Sequence, residues 1–232
     1  MSNDNRPTKP ASSEVSAFLD QVAKTPVNTS GERGRLIFAL DATASREPTW
    51  DSACQLQAEM FEETGALGGL SVQLAFYRGF NEFHAGEWCN DTDALLRQMT
   101  AVRCLGGHTQ LGRVLDHGLR ETRSKQVQAL IFVGDALEEE ADDVCHKAGQ
   151  LGLLNLPVFV FQEGNSPHVK TVFQQVAKLS GGAWAPFDRS SAKQLRELLS
   201  AVAVYAAGGR KALENYSKKT GGDVLRLSRQ LK

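Results

Sequence analysis

No segment of the 232-residue sequence approaches the ~20 consecutive apolar residues that a membrane-spanning helix requires. The opening residues, MSNDNRPTKPASS, carry no apolar run and do not read as a secretory signal. Only four cysteines occur, Cys54, Cys89, Cys104 and Cys145, with no CxxC pair and no histidine interleaved at zinc spacing. That scatter argues against a zinc cage or a disulfide framework and predicts buried thiols in a reducing, cytoplasmic setting. An excess of charge of either sign is also missing. The formal net charge is -1, so no global field selects nucleic acid or an anionic membrane.

What is present suits a folded domain. Apolar residues make up 41% and charged residues 23%, enough to bury a core within one α/β unit that carries extensions. Residues 1–33 read as a polar, proline-containing tail. It includes a short helix after Ser12 or Ser13, where Val15, Phe18, Leu19 and Val22 form one stripe. The core domain is expected over residues 34–207 and a basic tail over 208–232.

Within the core, LIFAL (36–40), ALIFV (129–133) and PVFVF (157–161) are continuous apolar runs that end at turn residues. Runs of this kind suit strands covered on both faces by helices. Helical patterns fall at about 49–64, 91–102, 110–124, 138–151, 167–180 and 191–206. The alternation predicts a doubly wound, mostly parallel sheet with helices on both faces. One interval departs from it. Val72, Leu74 and Phe76 alternate with polar residues, and only Arg78-Gly79 separates them from a second extended piece, residues 80–88. So short a turn demands an antiparallel pair, which places one antiparallel strand at a sheet edge. A short strand, residues 183–187, precedes the last helix, which Gly208-Gly209 is expected to end.

Three segments carry the chemistry. LIFALDATAS delivers Asp41, Thr43 and Ser45 just past a strand, at the sheet end where α/β proteins bind ligands. GGHTQLGRVLD (106–116) places Thr109 at a helix start behind two glycines. ALIFVGDALEEE puts Asp135 just past another buried strand. Carboxylates and hydroxyls from three loops make a hard-oxygen donor set. It suits magnesium, manganese or calcium and offers no soft ligand. The same residue types also cap turns after strands through their side-chain oxygens, and that plainer role stays open for Asp41, Thr43 and Ser45 taken alone.

Asp-x-Thr-x-Ser after the first strand, Gly-Gly-x-Thr-x-x-Gly before a helix and an Asp closing a later strand together resemble a known site. It is the metal-ion-dependent adhesion site of von Willebrand factor A (VWA) domains, and the resemblance spans roughly residues 34–207. It implies a VWA/Rossmann-like fold and a divalent cation, Mg2+ or else Ca2+ or Mn2+. Thr43 and Ser45 would offer hydroxyls, Thr109 would bind directly or through water, and Asp41 and Asp135 would act mainly through waters. It further implies a non-enzymatic interaction module whose protein partner presents Asp or Glu to the metal. Two motifs depart from the usual pattern: Thr43 replaces the more common Ser, and the third motif reads Gly134-Asp135-Ala136 in place of Thr-Asp-Gly.

Other residues carry competing readings. Trp50 is either an interface anchor or a core residue behind the first motif. His108 and His117 read as surface histidines without a role. Glu138, Glu139 and Glu140, with Asp142 and Asp143, read as a solvated helix start favoured by the helix dipole. Among alternative functions, a phosphatase of the haloacid dehalogenase type would need a second Asp where Thr43 stands. A component of an RNA–protein complex draws no support from the charge. In the tail, Lys and Arg outnumber Asp and Glu seven to two over Arg210–Lys232, which suggests a docking helix.

Overall fold

A computed structural model of the chain describes residues 33–48, 50–51, 53–54, 69–187 and 192–220. The predicted helix after Ser12 or Ser13, most of the helix predicted at 49–64, and the last twelve residues lie outside these.

Six strands form one sheet: β1 (Gly34–Asp41), β2 (Leu70–Arg78), β3 (Glu82–Cys89), β4 (Ala129–Gly134), β5 (Val158–Glu163) and β6 (Trp184–Phe187). Their spatial order is β3-β2-β1-β4-β5-β6, and every pairing is parallel except β2 with β3. The antiparallel strand sits at the edge, because a short turn cannot carry the chain across a sheet. The helices are α1 (Thr92–Thr100), α2 (Leu111–Ser124), α3 (Ala141–Leu153), α4 (Pro167–Ser180) and α5 (Ala192–Thr220).

The continuous apolar strands divide their side chains between two cores, as the period of two along a strand requires. Leu36, Phe38 and Leu40 of β1 enter one core with Leu95 and Met99 of α1 and Val202 and Tyr205 of α5. Ile37 and Ala39 enter the other with α2, α3 and α4. Helices therefore cover both faces. The fold is a doubly wound α/β sheet with one antiparallel edge strand.

Local signals account for several boundaries. Asp91 caps α1 by accepting the Ala94 N–H at 2.8 Å. Pro167 opens α4 at a position that needs no N–H, and Gly181 closes it with φ of 78°. One boundary differs from expectation. The predicted helix at 138–151 begins only at Ala141, because Glu138 and Glu139 are drawn away to the start of α2. The helix that starts at Ala192 ends at the Gly208-Gly209 pair, as expected. The chain kinks at Gly209, with φ of 71°, and helix resumes to Thr220. Ala212 and Leu213 are buried in the first core with Tyr216 packed against it, so residues 212–216 belong to the domain rather than to a detached tail.

Trp50 is a core residue. It is 4% exposed, its indole N–H donates to the Met99 carbonyl at 3.0 Å, and its ring meets Phe76 edge-on at 5.7 Å. That excludes the interface reading. His117 is likewise no surface residue: it is buried in α2, its Nε2 lies 2.8 Å from the Gln73 amide oxygen, and Phe83 packs on the ring. Burial pushes the His117 pKa below its ordinary 6.5. The nearby Glu121 charge opposes that shift, and Arg120 adds to it. The unfolded chain therefore takes up the proton first, and the stability tied to neutral His117 is full above about pH 6.5 and lost as pH falls below it. Thermal melts from about pH 7 down to about pH 5 should show a steeper decline for the wild type than for His117→Leu. Parallel declines would refute the assignment.

Candidate functional site

The strand order reverses between β1 and β4, since β1 leads outward to β2 on one side and β4 to β5 on the other. At such a switch point the loops beyond the strand ends diverge and leave a crevice. Asp41 is the last residue of β1, and Asp135 follows the last residue of β4. Leu40 and Val133 are register partners, so the two carboxylates flank this crevice on neighbouring strands. That position follows from the strand runs themselves, which end where the acidic residues begin.

The first motif turns sharply. Asp41 is 2% exposed, and its Oδ1 accepts the Thr43 backbone N–H at 2.7 Å, which closes an Asx-type turn. Thr43 then precedes a single 3-10 turn, Ala44–Arg46, and its Oγ1 lies 3.5 Å from the exposed Ser45 Oγ. The two hydroxyls thus stand side by side, as neutral oxygens that would share a hard cation. Beneath them lies Tyr77, fully buried in β2. Burial pushes its phenol pKa well above 10. The nearby charge of Asp41 raises it further, followed by the charges of Glu139 and Asp135. Tyr77 thus sits where the acidic groups of both strand ends converge.

The second motif is held by backbone contacts. The Leu105 N–H donates to the Ala42 carbonyl at 3.0 Å, and the His108 N–H donates to the Gly79 carbonyl at 3.2 Å. These bonds pin the loop against both the first motif and the β2–β3 turn. A Cβ on Gly107 would lie 1.9 Å from the Gly79 oxygen, so only glycine permits the approach. A Cβ on Gly106 would meet nothing within 4 Å.

Sequence reasoning missed how the second and third motifs are joined. Thr109 is 5% exposed, and both its N–H and its hydroxyl donate to Glu138 Oε2, at 2.8 and 2.7 Å. The Glu138 N–H returns a bond to Thr109 Oγ1 at 3.0 Å. Glu139 Oε1 accepts the Gly112 N–H at 2.9 Å, and Lys147 reaches the Gly112 carbonyl and Asp116. The first turn of α2 has orphan N–H groups, and its N-cap residue Gln110 makes no capping bond. Carboxylates from the β4–α3 loop supply what the local sequence does not. Glu138, itself exposed, and the half-buried Glu139 therefore precede α3 and bond the segment that opens α2 instead of starting a helix of their own. Burial raises the Glu138 pKa, but the two Thr109 hydrogen bonds and the charge of His108 outweigh it and hold the carboxyl below the usual range. Glu139 is more deeply placed, and burial drives its pKa up against the Gly112 and Leu111 amides and Lys147. A signal existed in the unusual Glu138-Glu139-Glu140 run, but its target lay 29 residues away.

Among the described residues no cluster of three or more His, Cys, Asp or Glu side chains is arranged to hold a metal. A cation here would rely on hydroxyls as much as on carboxylates. The donor set fits that demand, with Asp41 and Asp135 for charge and Thr43, Ser45 and Thr109 for neutral oxygen. The rim is partly apolar: Phe80 is 70% exposed and meets His108 edge-on at 5.1 Å, and Leu105 is 44% exposed beside Ala42.

The sequence matches no family model and no curated protein. Solved structures do match the fold. Proximal thread matrix protein 1 from the mussel byssus, with a zinc-occupied MIDAS motif, aligns with a TM-score of 0.60 at 13% identity, covering 74% of this chain and 46% of that one. The SpRpn10 VWA domain aligns with a TM-score of 0.53 at 11% identity, covering 76% of this chain and 97% of that one. The pilus adhesin SpaC from Lactobacillus rhamnosus GG, in an open conformation, gives 0.61 at 10% identity, covering 82% of this chain and 31% of that one. The chain thus spans under half of the mussel protein and about a third of the adhesin. At these identities the likeness establishes a VWA-like fold. Among the described residues no helix is long and apolar enough to cross a membrane.

Proposed function

We propose that the chain is a non-enzymatic interaction module. In this reading it binds one divalent cation through Thr43, Ser45 and Thr109, with Asp41 and Asp135 acting mainly through waters. It then engages an Asp or Glu of a protein partner at the open side of that ion. The observation that carries this reading is that Asp41 and Asp135 stand at the ends of neighbouring strands at the switch point between β1 and β4, with the Thr43 and Ser45 hydroxyls 3.5 Å apart just beyond Asp41, at the sheet end where open α/β sheets bind ligands. The resident ion would supply a Lewis-acidic seat for a carboxylate. The protein's own groups orient hydroxyl oxygens toward it and keep the net negative charge of the set low.

Two features favour a macromolecular partner over a small substrate. Phe80 and Leu105 are exposed apolar side chains on the two loops that rim the site. Position 43 is threonine, so no second carboxylate stands two residues after Asp41 to act as the acid/base of a phosphatase.

The test is a Mn2+ titration followed by water-proton relaxation, with Mg2+, Ca2+ and Zn2+ as competitors. One dominant site is expected in the wild type. Asp41→Ala and Asp135→Ala should each weaken it at least ~10-fold while retaining a cooperative melt. Binding that is unchanged in both variants refutes the site. Phosphate-ester hydrolysis by the pure protein that disappears in Asp41→Asn would refute the non-enzymatic part.

A further inference from the structure

We infer that Glu138 is the positioning residue of the candidate cation site. It orients the Thr109 hydroxyl so that a single lone pair remains for a metal. The inference rests on the metal-binding reading above and adds a residue that the motif does not contain.

The argument is a count of what one hydroxyl can do. A threonine oxygen carries one proton and two lone pairs. The Thr109 proton is directed at Glu138 Oε2, 2.7 Å away, and one lone pair accepts the Glu138 N–H at 3.0 Å. One lone pair is left. The oxygen cannot rotate to present anything else, because the Thr109 N–H is also held by Glu138 Oε2 at 2.8 Å and the side chain is buried. The hydroxyl is thus fixed in the orientation that a ligand needs before any ion arrives. Drawing its proton toward a carboxylate also enriches the oxygen in electron density, which makes it a better donor to a hard cation. Outer partners of metal ligands commonly act in both ways.

The neighbouring contacts keep Glu138 at this task. Glu139 is anchored one residue on by the Gly112 N–H at 2.9 Å, so the loop that carries both glutamates is clamped to the start of α2. The loop begins with Asp135. Thr109 and Asp135 come from segments far apart in sequence, and the Glu138 clasp sets their separation.

Mn2+ affinity by water-proton relaxation tests this with wild type, Glu138→Gln, Glu138→Ala, Thr109→Ala and the Thr109→Ala/Glu138→Gln double variant. The Glu138→Gln change keeps an acceptor of the same shape and removes the charge, so a loss there reports electronic positioning rather than loop collapse. Glu138→Gln is expected to weaken binding by ~10-fold and Glu138→Ala by up to ~100-fold. On the Thr109→Ala background, Glu138→Gln should add less than ~2-fold, because the effect passes through Thr109. Three results overturn the inference while leaving the metal site standing: wild-type affinity in Glu138→Gln, tighter binding in Glu138→Gln, and full additivity in the double variant. The second would mean that Glu138 blocks the site, and the third that it ligates the ion itself. No Mn2+ binding by the wild type overturns the metal reading and this inference together.

Discussion

Gly107→Ala is expected to weaken Mn2+ binding at least ~10-fold and to cost ~1–3 kcal/mol of stability, whereas Gly106→Ala should leave both unchanged. The added methyl at position 107 would fall 1.9 Å from the Gly79 oxygen and 2.3 Å from its carbon, and both are backbone atoms that no rotamer change can move aside. The loop would have to lift away. That would break the His108 N–H bond to Gly79 and take Thr109 out of register with Asp41. At Gly106 the same methyl points into open space. Paired thermal melts and metal titrations on the two variants decide the matter. Equal behaviour of the two alanines would show that the close approach to Gly79 does not position the site.

Phe132→Ala should be the most destabilising of these substitutions, at ~3–5 kcal/mol, which in a domain of this size lowers the melting midpoint by roughly 6–20 °C. Phe132 is fully buried in β4. It stacks on Tyr77 at 6.3 Å and meets Phe173 of α4 edge-on at 5.6 Å. Its loss opens a cavity between the sheet and its helices that the surrounding strands cannot close. The cavity would also lie beneath Tyr77, the phenol that neighbours Asp41, so metal binding should weaken along with stability. Denaturant unfolding provides the measurement, with a lower midpoint at an unchanged slope. A loss below ~1.5 kcal/mol would mean that the core repacks around the hole.

Both predictions depend on packing that no local pattern announces. The two glycines of Gly106-Gly107 look alike in sequence, and Phe132 is one of several residues in an apolar run. What separates them is the identity of the atoms facing them across the fold. The same distinction divides the rest of the molecule.

The sequence alone determined the strand runs, their burial on both faces and the antiparallel edge pair, because each depends on periodicity and turn length within about ten residues. It also determined which end of the sheet would hold Asp41 and Asp135, since strand direction and the residue after the strand are local facts. Tertiary structure alone decided the partners. Glu139 turns from its own helix to the Gly112 amide in the first turn of α2, 27 residues away, and Glu138 to the Thr109 amide just before that helix, 29 residues away. His117 leaves the surface because Gln73, 44 residues earlier, offers it a hydrogen bond beneath α2. A second helical stretch follows the Gly208-Gly209 break because apolar surface on the first core rewards the burial of Ala212 and Leu213.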